Sequence, residues 1–271
     1  MKKLILFILS GMSLVWSEPK VVGIFGGDSC PWSKELRAQV WESSSFQTLL
    51  ASAEIKKEEQ AASQNEPETP LFILYSSQGQ EIGRLGFLVI PAEKYVSLFK
   101  EMLSIHNYCQ NINNLTVSQL LQFYRKCQVL NMKTCEDKIL QAGIAQDTGT
   151  DFLLEKYAKV CKTQHRQAQK IKAEIRARKP NSSAIEWQLA LLTFQGKIEK
   201  MEEINATAKP LTKYLRRYGD EDPENRWRCH LILAEFYKDK NMIEKARRHA
   251  EKAAIDAPQE LRQMISHLGD P

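Results

Sequence analysis

After residue 115 the chain contains no run in which apolar and polar residues alternate, and its apolar residues recur at intervals of three and four to the end. More than half of the chain must therefore be helix packed on helix, because an amphipathic helix buries one stripe and needs a partner surface to do so. The spacing predicts helices near 116–130, 133–146, 151–178, 182–195, 198–218, 224–239, 242–256 and 258–268. In the longest of these, Leu154, Cys161, Ala168 and Ile175 recur every seven residues, with Tyr157 and Ile171 between them, which reads as a packing seam. Nine Lys or Arg and one Glu lie between Lys156 and Lys179. They predict a solvated face, with an anionic partner or lipid surface as the alternative. His165 sits among these charges with no second ligand in view, so no metal is expected there.

Residues 18–106 have a different texture. Val21 to Phe25 is a short β-prone run ending in Gly26-Gly27, and Pro31 to Trp41 reads as a helix with proline in its first turn. Phe46 to Leu50 predicts a helical turn, Ala53 to Glu59 a short strand, and Gln60 to Glu68 a polar loop. "LFILY", Leu71 to Tyr75, is a strand. Ser76 to Gln80 is a turn containing Gly79, and Glu81 to Leu88 returns as the second arm of a hairpin. Pro91 to Ile105 is an amphipathic helix with Tyr95, Leu98, Phe99 and Met102 on one face. The polar stretch 107–115, "NYCQNINNL", reads as a linker. The domain division expected is therefore 18–106, a linker at 107–115, and a helical part at 116–271.

The first seventeen residues carry Lys2 and Lys3 ahead of an apolar core from Leu4 to Trp16, and Val15-Trp16-Ser17 offers a cleavage site. This is the pattern of a secretory signal peptide at 1–17, too short in its apolar core for a membrane span. It predicts a periplasmic or secreted destination, with no membrane span after removal. The net charge of +5 falls to +3 without the two lysines, which is too mild to imply nucleic acid. The six cysteines, Cys30, Cys109, Cys127, Cys135, Cys161 and Cys229, form no C-x-x-C pair and no zinc-like spacing. No metal and no cofactor is expected. Export makes disulfides possible, but their pairing is not readable from spacing.

Chemistry concentrates in "FGGDSCPWSKEL". Cys30 lies between a glycine turn and a helix start, where unsatisfied amide donors and the positive end of the helix dipole favour thiolate over thiol. Ser33, in the first turn, is placed to donate a hydrogen bond to the sulfur, and Trp32 to offer an apolar surface beside it. The order strand, glycine turn, cysteine, helix, Thr-Pro, strand, turn, strand, helix resembles the thioredoxin fold and the disulfide isomerase family. Three stretches carry that resemblance over 20–106: "FGGDSCPWSKEL", "ETPLFILY" and "QGQEIGRLGF". It implies an α/β thioredoxin-like domain, a nucleophilic Cys30, and a cis-proline at Thr69-Pro70 that would present the Thr69 backbone to a substrate strand. Two departures matter. Ile24 stands where many members carry a buried acid, and Ser33 stands where the second cysteine would be. In the helical part, "RCHLILAEFYKDKNMIEKARRHAEKAAIDAP" places Leu233-Ala234, Tyr237, Ala246, Ala253 and Pro258 as in a tetratricopeptide repeat. The stretch from Ile185 to Tyr218 resembles a second copy.

With one sulfur, Cys30 can attack a disulfide but cannot release itself with a second thiol of its own site. The expectation is an exported monothiol exchange protein of C-x-x-S type, isomerase-like. Cys30 and Ser33 are its catalytic residues, and Trp32, Thr69 and Pro70 bind substrate. Its partners would be proteins with cysteines or disulfides, together with a protein held by the helical part. The alternative is a redox-inactive adaptor or chaperone built on the same two parts.

Overall fold

The computed structural model describes residues 18–26, 30–61 and 69–269. The expected signal peptide and most of the 60–68 loop lie outside the described residues. Four strands form one mixed sheet: β1 (Lys20–Phe25), β2 (Lys56–Ala61), β3 (Leu71–Tyr75) and β4 (Glu81–Gly86), in the order β2-β1-β3-β4. β1 runs parallel to β2 and antiparallel to β3, and β3 pairs antiparallel with β4. The hairpin between β3 and β4 turns at Gly79, whose φ of 76° lies in the region open to glycine. The strand expected at 53–59 starts three residues later and runs to Ala61, because α2 (Ser44–Ser52), capped by Ser43, occupies the residues before it.

The crossover between β1 and β2 begins with α1 (Pro31–Leu36), passes into a π-helical turn at Arg37–Trp41, and continues into α2. The wider π turn brings Val40 and Trp41 inward, and both are buried. Gly23 makes this packing possible: a Cβ there would lie 2.8 Å from both the Phe25 and Trp41 rings. Phe72 of β3 is fully buried at the centre of the core. The rings of Phe25, Trp41, Phe46, Tyr95 and Phe99 surround it at centroid distances of 5.2 to 6.1 Å. Tyr95 and Phe99 come from α3 (Ala92–Tyr108), which buries them with Met102 as the spacing placed them, while Leu98 is only half-buried and Val96 is buried.

The stretch expected as a linker, 107–115, is part of the folded chain. α3 extends to Tyr108, a 3-10 turn spans Ile112–Asn114, and Cys109 and Leu115 are buried. α4 (Val117–Val129) and α5 (Lys133–Gln146) follow, joined by a tight turn in which Asn131 adopts a φ of 50°. That turn packs on the sheet. A Cβ on Gly83 of β4 would lie 2.9 Å from Met132 Cγ and 3.0 Å from the Leu130 carbonyl. The chain divides into two compact units between Ala142 and Gly143, later than the composition of 107–115 implied.

The second unit is helical throughout its described residues. α6 (Asp151–Val160) and α7 (His165–Arg178) replace the single helix expected over 151–178. Residues 162–166 offer no apolar side chain to bury, so the chain turns there, with the Thr163 and Gln164 amides donating to the Val160 carbonyl. The stripe survives folded back on itself: Leu154 and Tyr157 meet Ala168, Ile171 and Ile175 in one cluster. The hairpins α8 (Ser183–Glu199)–α9 (Ile204–Tyr218) and α10 (Pro223–Asp239)–α11 (Ile243–Asp256) follow, then α12 (Gln259–Ser266). α9 starts six residues later than expected because Lys200–Glu203 forms the turn. Both hairpins turn through a left-handed residue, Met201 and Asn241, as α4–α5 does at Asn131. Ala234, Ala246, Ala250 and Ala253 are buried, which allows close approach of α10 and α11. No helix among the described residues is long and apolar enough to cross a membrane.

Candidate functional site

The strand register places the expected site residues along one edge of the sheet. Ile24 of β1 pairs with Leu71 of β3, and Leu71 with Gly86 of β4. The chain just beyond β1, just before β3 and just after β4 therefore emerges side by side. Those segments contain Gly26 and Cys30, Thr69 and Pro70, and Phe87.

Cys30 is the N-cap of α1, in extended conformation (φ −84°, ψ 108°), with Pro31 at the first helical position. Its carbonyl accepts the first helical hydrogen bond, from the Lys34 amide at 3.2 Å. The residue is partly exposed. Its side chain makes no capping hydrogen bond to α1; a helix start is in general a place where unsatisfied amides favour a thiolate.

Ser33 lies one turn on, and it is buried. Its Oγ accepts a hydrogen bond from the Gly26 amide at 2.9 Å. The bond described for this hydroxyl thus ties the end of β1 to the helix, where the sequence suggested a donor to the sulfur. Trp32 is 50% exposed, and its ring packs on Phe87 at 5.1 Å between centroids. Phe87 follows the residue paired with Leu71, so Trp32 leans from the helix start toward the segment beside Pro70.

Pro70 is buried and Thr69 exposed at the entrance to β3. No cis peptide bond occurs among the described residues, so the cis bond implied by the resemblance is not found at Thr69-Pro70. The proline keeps its place at the strand entry, where its missing N–H costs no ladder bond. Ile24, in the place of the family's acid, is buried against Val22 and Ile73.

Phe87, Leu88 and Val89, at this end of the sheet, were not singled out as site residues by sequence reasoning. Leu88 and Val89 are exposed, Val89 by 81%. Tyr95 holds their loop: its hydroxyl accepts from the Leu88 amide and donates to the Leu88 carbonyl, each at 2.8 Å. Burial of Tyr95 pushes its phenol above the ordinary tyrosine value, so it stays a hydroxyl that can do both. The signal was present in "GFLVIP", an apolar run longer than the hairpin arm needs. The loop also borders a surface cavity of about 450 Å³ with Gln39 and Val40. Among the described residues no cluster of three or more ligating side chains is arranged for a metal ion.

No family model matches the chain, and no solved structure matches it. The chain is 27% identical over 213 residues to the thioredoxin-related protein DsbJ of Chlamydia pneumoniae, a match covering 73% of this chain and 61% of the relative. The chain thus spans about three-fifths of that relative's length. A match of 213 residues is too long to be confined to 18–106 and extends into the helices. The sheet order, the helix-start cysteine and this relative together support a thioredoxin-like N-terminal part followed by helices.

Proposed function

We propose that this chain is an exported thiol–disulfide exchange protein that works with one sulfur. The observation that carries the reading is the position of Cys30: a partly exposed N-cap two residues before Trp32, whose ring packs on Phe87 ahead of the exposed Leu88 and Val89. The Cys30 thiolate attacks one sulfur of a client disulfide. The client S–S bond breaks, a mixed disulfide forms, and the departing client sulfur takes a proton. A second client thiol, or a small thiol, then attacks the mixed disulfide and returns Cys30. No electrons are gained or lost overall when the client supplies both thiols, which is isomerisation. This apolar rim gives unfolded clients a landing surface, with Thr69 exposed at the entrance to β3 on the same end of the sheet. In this reading export follows the leader at 1–17, and the destination is the periplasm or the exterior.

The helical unit would hold a partner or client. The α10–α11 pair, with alanines at its contact and Tyr237 between the helices, is the part closest to a tetratricopeptide repeat. A left-handed turn residue also joins α8 to α9. The thioredoxin-related name of the relative agrees with thiol chemistry.

The test is reactivation of scrambled ribonuclease by the full chain and by Cys30→Ala. The wild type should accelerate recovery of activity and the variant should not; equal rates would end the proposal. One observation favours the adaptor reading: Ser33, in the place of a second cysteine, accepts a hydrogen bond from the Gly26 amide that ties β1 to α1. Alkylation rate of Cys30 against pH separates the two readings. A midpoint near the ordinary cysteine value of ~8.5 supports the adaptor, and a lower one supports chemistry.

A further inference from the structure

Three cysteines and a histidine meet where α3 ends and α5 begins, away from Cys30 in sequence and wholly inside the first unit. Cys109 caps α3, Cys135 lies in the first turn of α5, and Cys127 lies near the end of α4. All three are buried, at 4%, 3% and 0% exposure for Cys109, Cys135 and Cys127. The Cys109 thiol hydrogen-bonds to the Cys135 sulfur. On its other side Cys135 Sγ lies 3.9 Å from His106 Nδ1. The second nitrogen of His106 meets Gln110 at 3.3 Å, and both residues line a surface cavity of about 420 Å³.

We infer that Cys109 and Cys135 are a disulfide-forming pair that clips the end of α3 to the start of α5, with Cys135 as the attacking sulfur and His106 as the proton carrier between the pair and the surface cavity.

The two sulfurs are unequal. The hydrogen bond from Cys109 pulls Cys135 down to about 5, with His106 and Lys138 acting in the same sense against burial. The same bond, with burial, pushes Cys109 far up, so Cys109 keeps the shared proton. Cys127 is pushed up to about 12, chiefly by burial and next by the charge on Cys135, and stays a thiol.

The oxidant is a low-molecular-weight disulfide, RSSR, of the kind found in an oxidising compartment. The Cys135 thiolate attacks one sulfur of RSSR, and RS⁻ leaves and takes a proton from solvent. Cys109 then gives its proton, by way of His106, to the second RS⁻ as its sulfur displaces that group from Cys135. The pair loses two electrons, RSSR gains them, and two RSH are released. The crosslink closes a loop that contains all of α4 and restricts the unfolded chain more than the folded one. Entry needs an opening of the last turn of α3, the kind of local fraying that helix ends allow.

The test is thiol mapping of the full chain after incubation with oxidised glutathione, with alkylation before digestion. The expected product is a 109–135 crosslinked peptide two hydrogens lighter than the sum of its parts. It should form in the wild type, in Cys30→Ala and in Cys127→Ser. The oxidised wild type should melt several degrees above the reduced one, and Cys109→Ser should lose that difference. Because Cys30→Ala is included, failure of exchange at Cys30 leaves this result readable. Both thiols found alkylated after oxidation, or a crosslink running through Cys127 in the wild type, would overturn the assignment.

Discussion

The Gly26 amide donates to Ser33 Oγ over 2.9 Å, joining the first residue after β1 to the first turn of α1. The position at which a dithiol site would hold its second sulfur is therefore a structural strap. Ser33→Ala leaves a partly buried amide without this partner, and a loss of ~1–3 kcal/mol is expected in chemical denaturation. Ser33→Cys should change behaviour as well as stability: client adducts on Cys30 become short-lived, and net reduction of insulin disulfides appears. Adducts on non-reducing gels that persist as long as in the wild type would count against this.

Trp32, two residues after Cys30, packs its ring on Phe87. Trp32→Ala should slow exchange with peptides whose cysteines lie among apolar residues far more than exchange with a small aromatic disulfide. The stability effect should be small, on the order of 0.5–1.5 kcal/mol, because the ring pair is half solvated. Parallel rate measurements on the two substrates check it. Equal slowing of both would assign Trp32 to the reactivity of the sulfur itself.

Gly83 is the point where β4 meets the α4–α5 turn. Gly83→Ala puts a methyl 2.5 Å from Met102 Cε and 3.0 Å from the Leu130 carbonyl. The methionine end can swing aside, but the carbonyl belongs to the backbone of the turn. A destabilisation of about 1–3 kcal/mol is expected, read as a lower denaturation midpoint with unchanged slope. An unaffected midpoint would show that the α4–α5 turn is not held against the sheet.

In the helical unit His230 and His249 meet Nδ1 to Nδ1 at 2.8 Å, so one neutral ring donates to the other. Both are driven down to about 4, first by burial. His249, Lys252 and Arg226 add to this at His230, where Asp256 opposes; Lys252 and Lys245 add to it at His249. In the unfolded chain each takes a proton near ~6.5. Below that value the unfolded state binds more protons than the folded one. The contribution of the pair is thus intact above pH 6.5 and is lost as pH falls toward 4. Melting curves at pH 7.5 and 5 should separate more for the wild type than for the double variant His230→Asn, His249→Asn. Equal separation would remove the pair from the acid response.

Much of this was legible in the residues. "LFILY" and the Gly79 turn define their hairpin by local chemistry alone, and the helices from α4 onward follow from spacing. The 151–178 seam misleads because one heptad stripe serves a continuous helix and a folded-back pair equally well; only the absence of anything to bury at 162–166 distinguishes them. The polar "NYCQNINNL" reads as linker because its buried members, Cys109 and Leu115, are spaced too far apart to form a pattern. At the site, Cys30 and Trp32 were readable from "CPWS", but the role of Ser33 depends on an amide seven residues earlier. Phe87 joins this end of the sheet through strand register, which no local window contains, and Tyr95 joins it from α3 through its hydroxyl bonds to Leu88.

β2 is an outer strand of the sheet, and its sequence is Lys-Lys-Glu-Glu-Gln-Ala, with Lys56, Glu58, Glu59 and Gln60 exposed. Lys20 and Arg37 reach across to Glu58 and Glu59. A border studded with both signs of charge gives a neighbouring ribbon no apolar row to zip onto. Copies of this sheet can then crowd beside one another without polymerising along that margin.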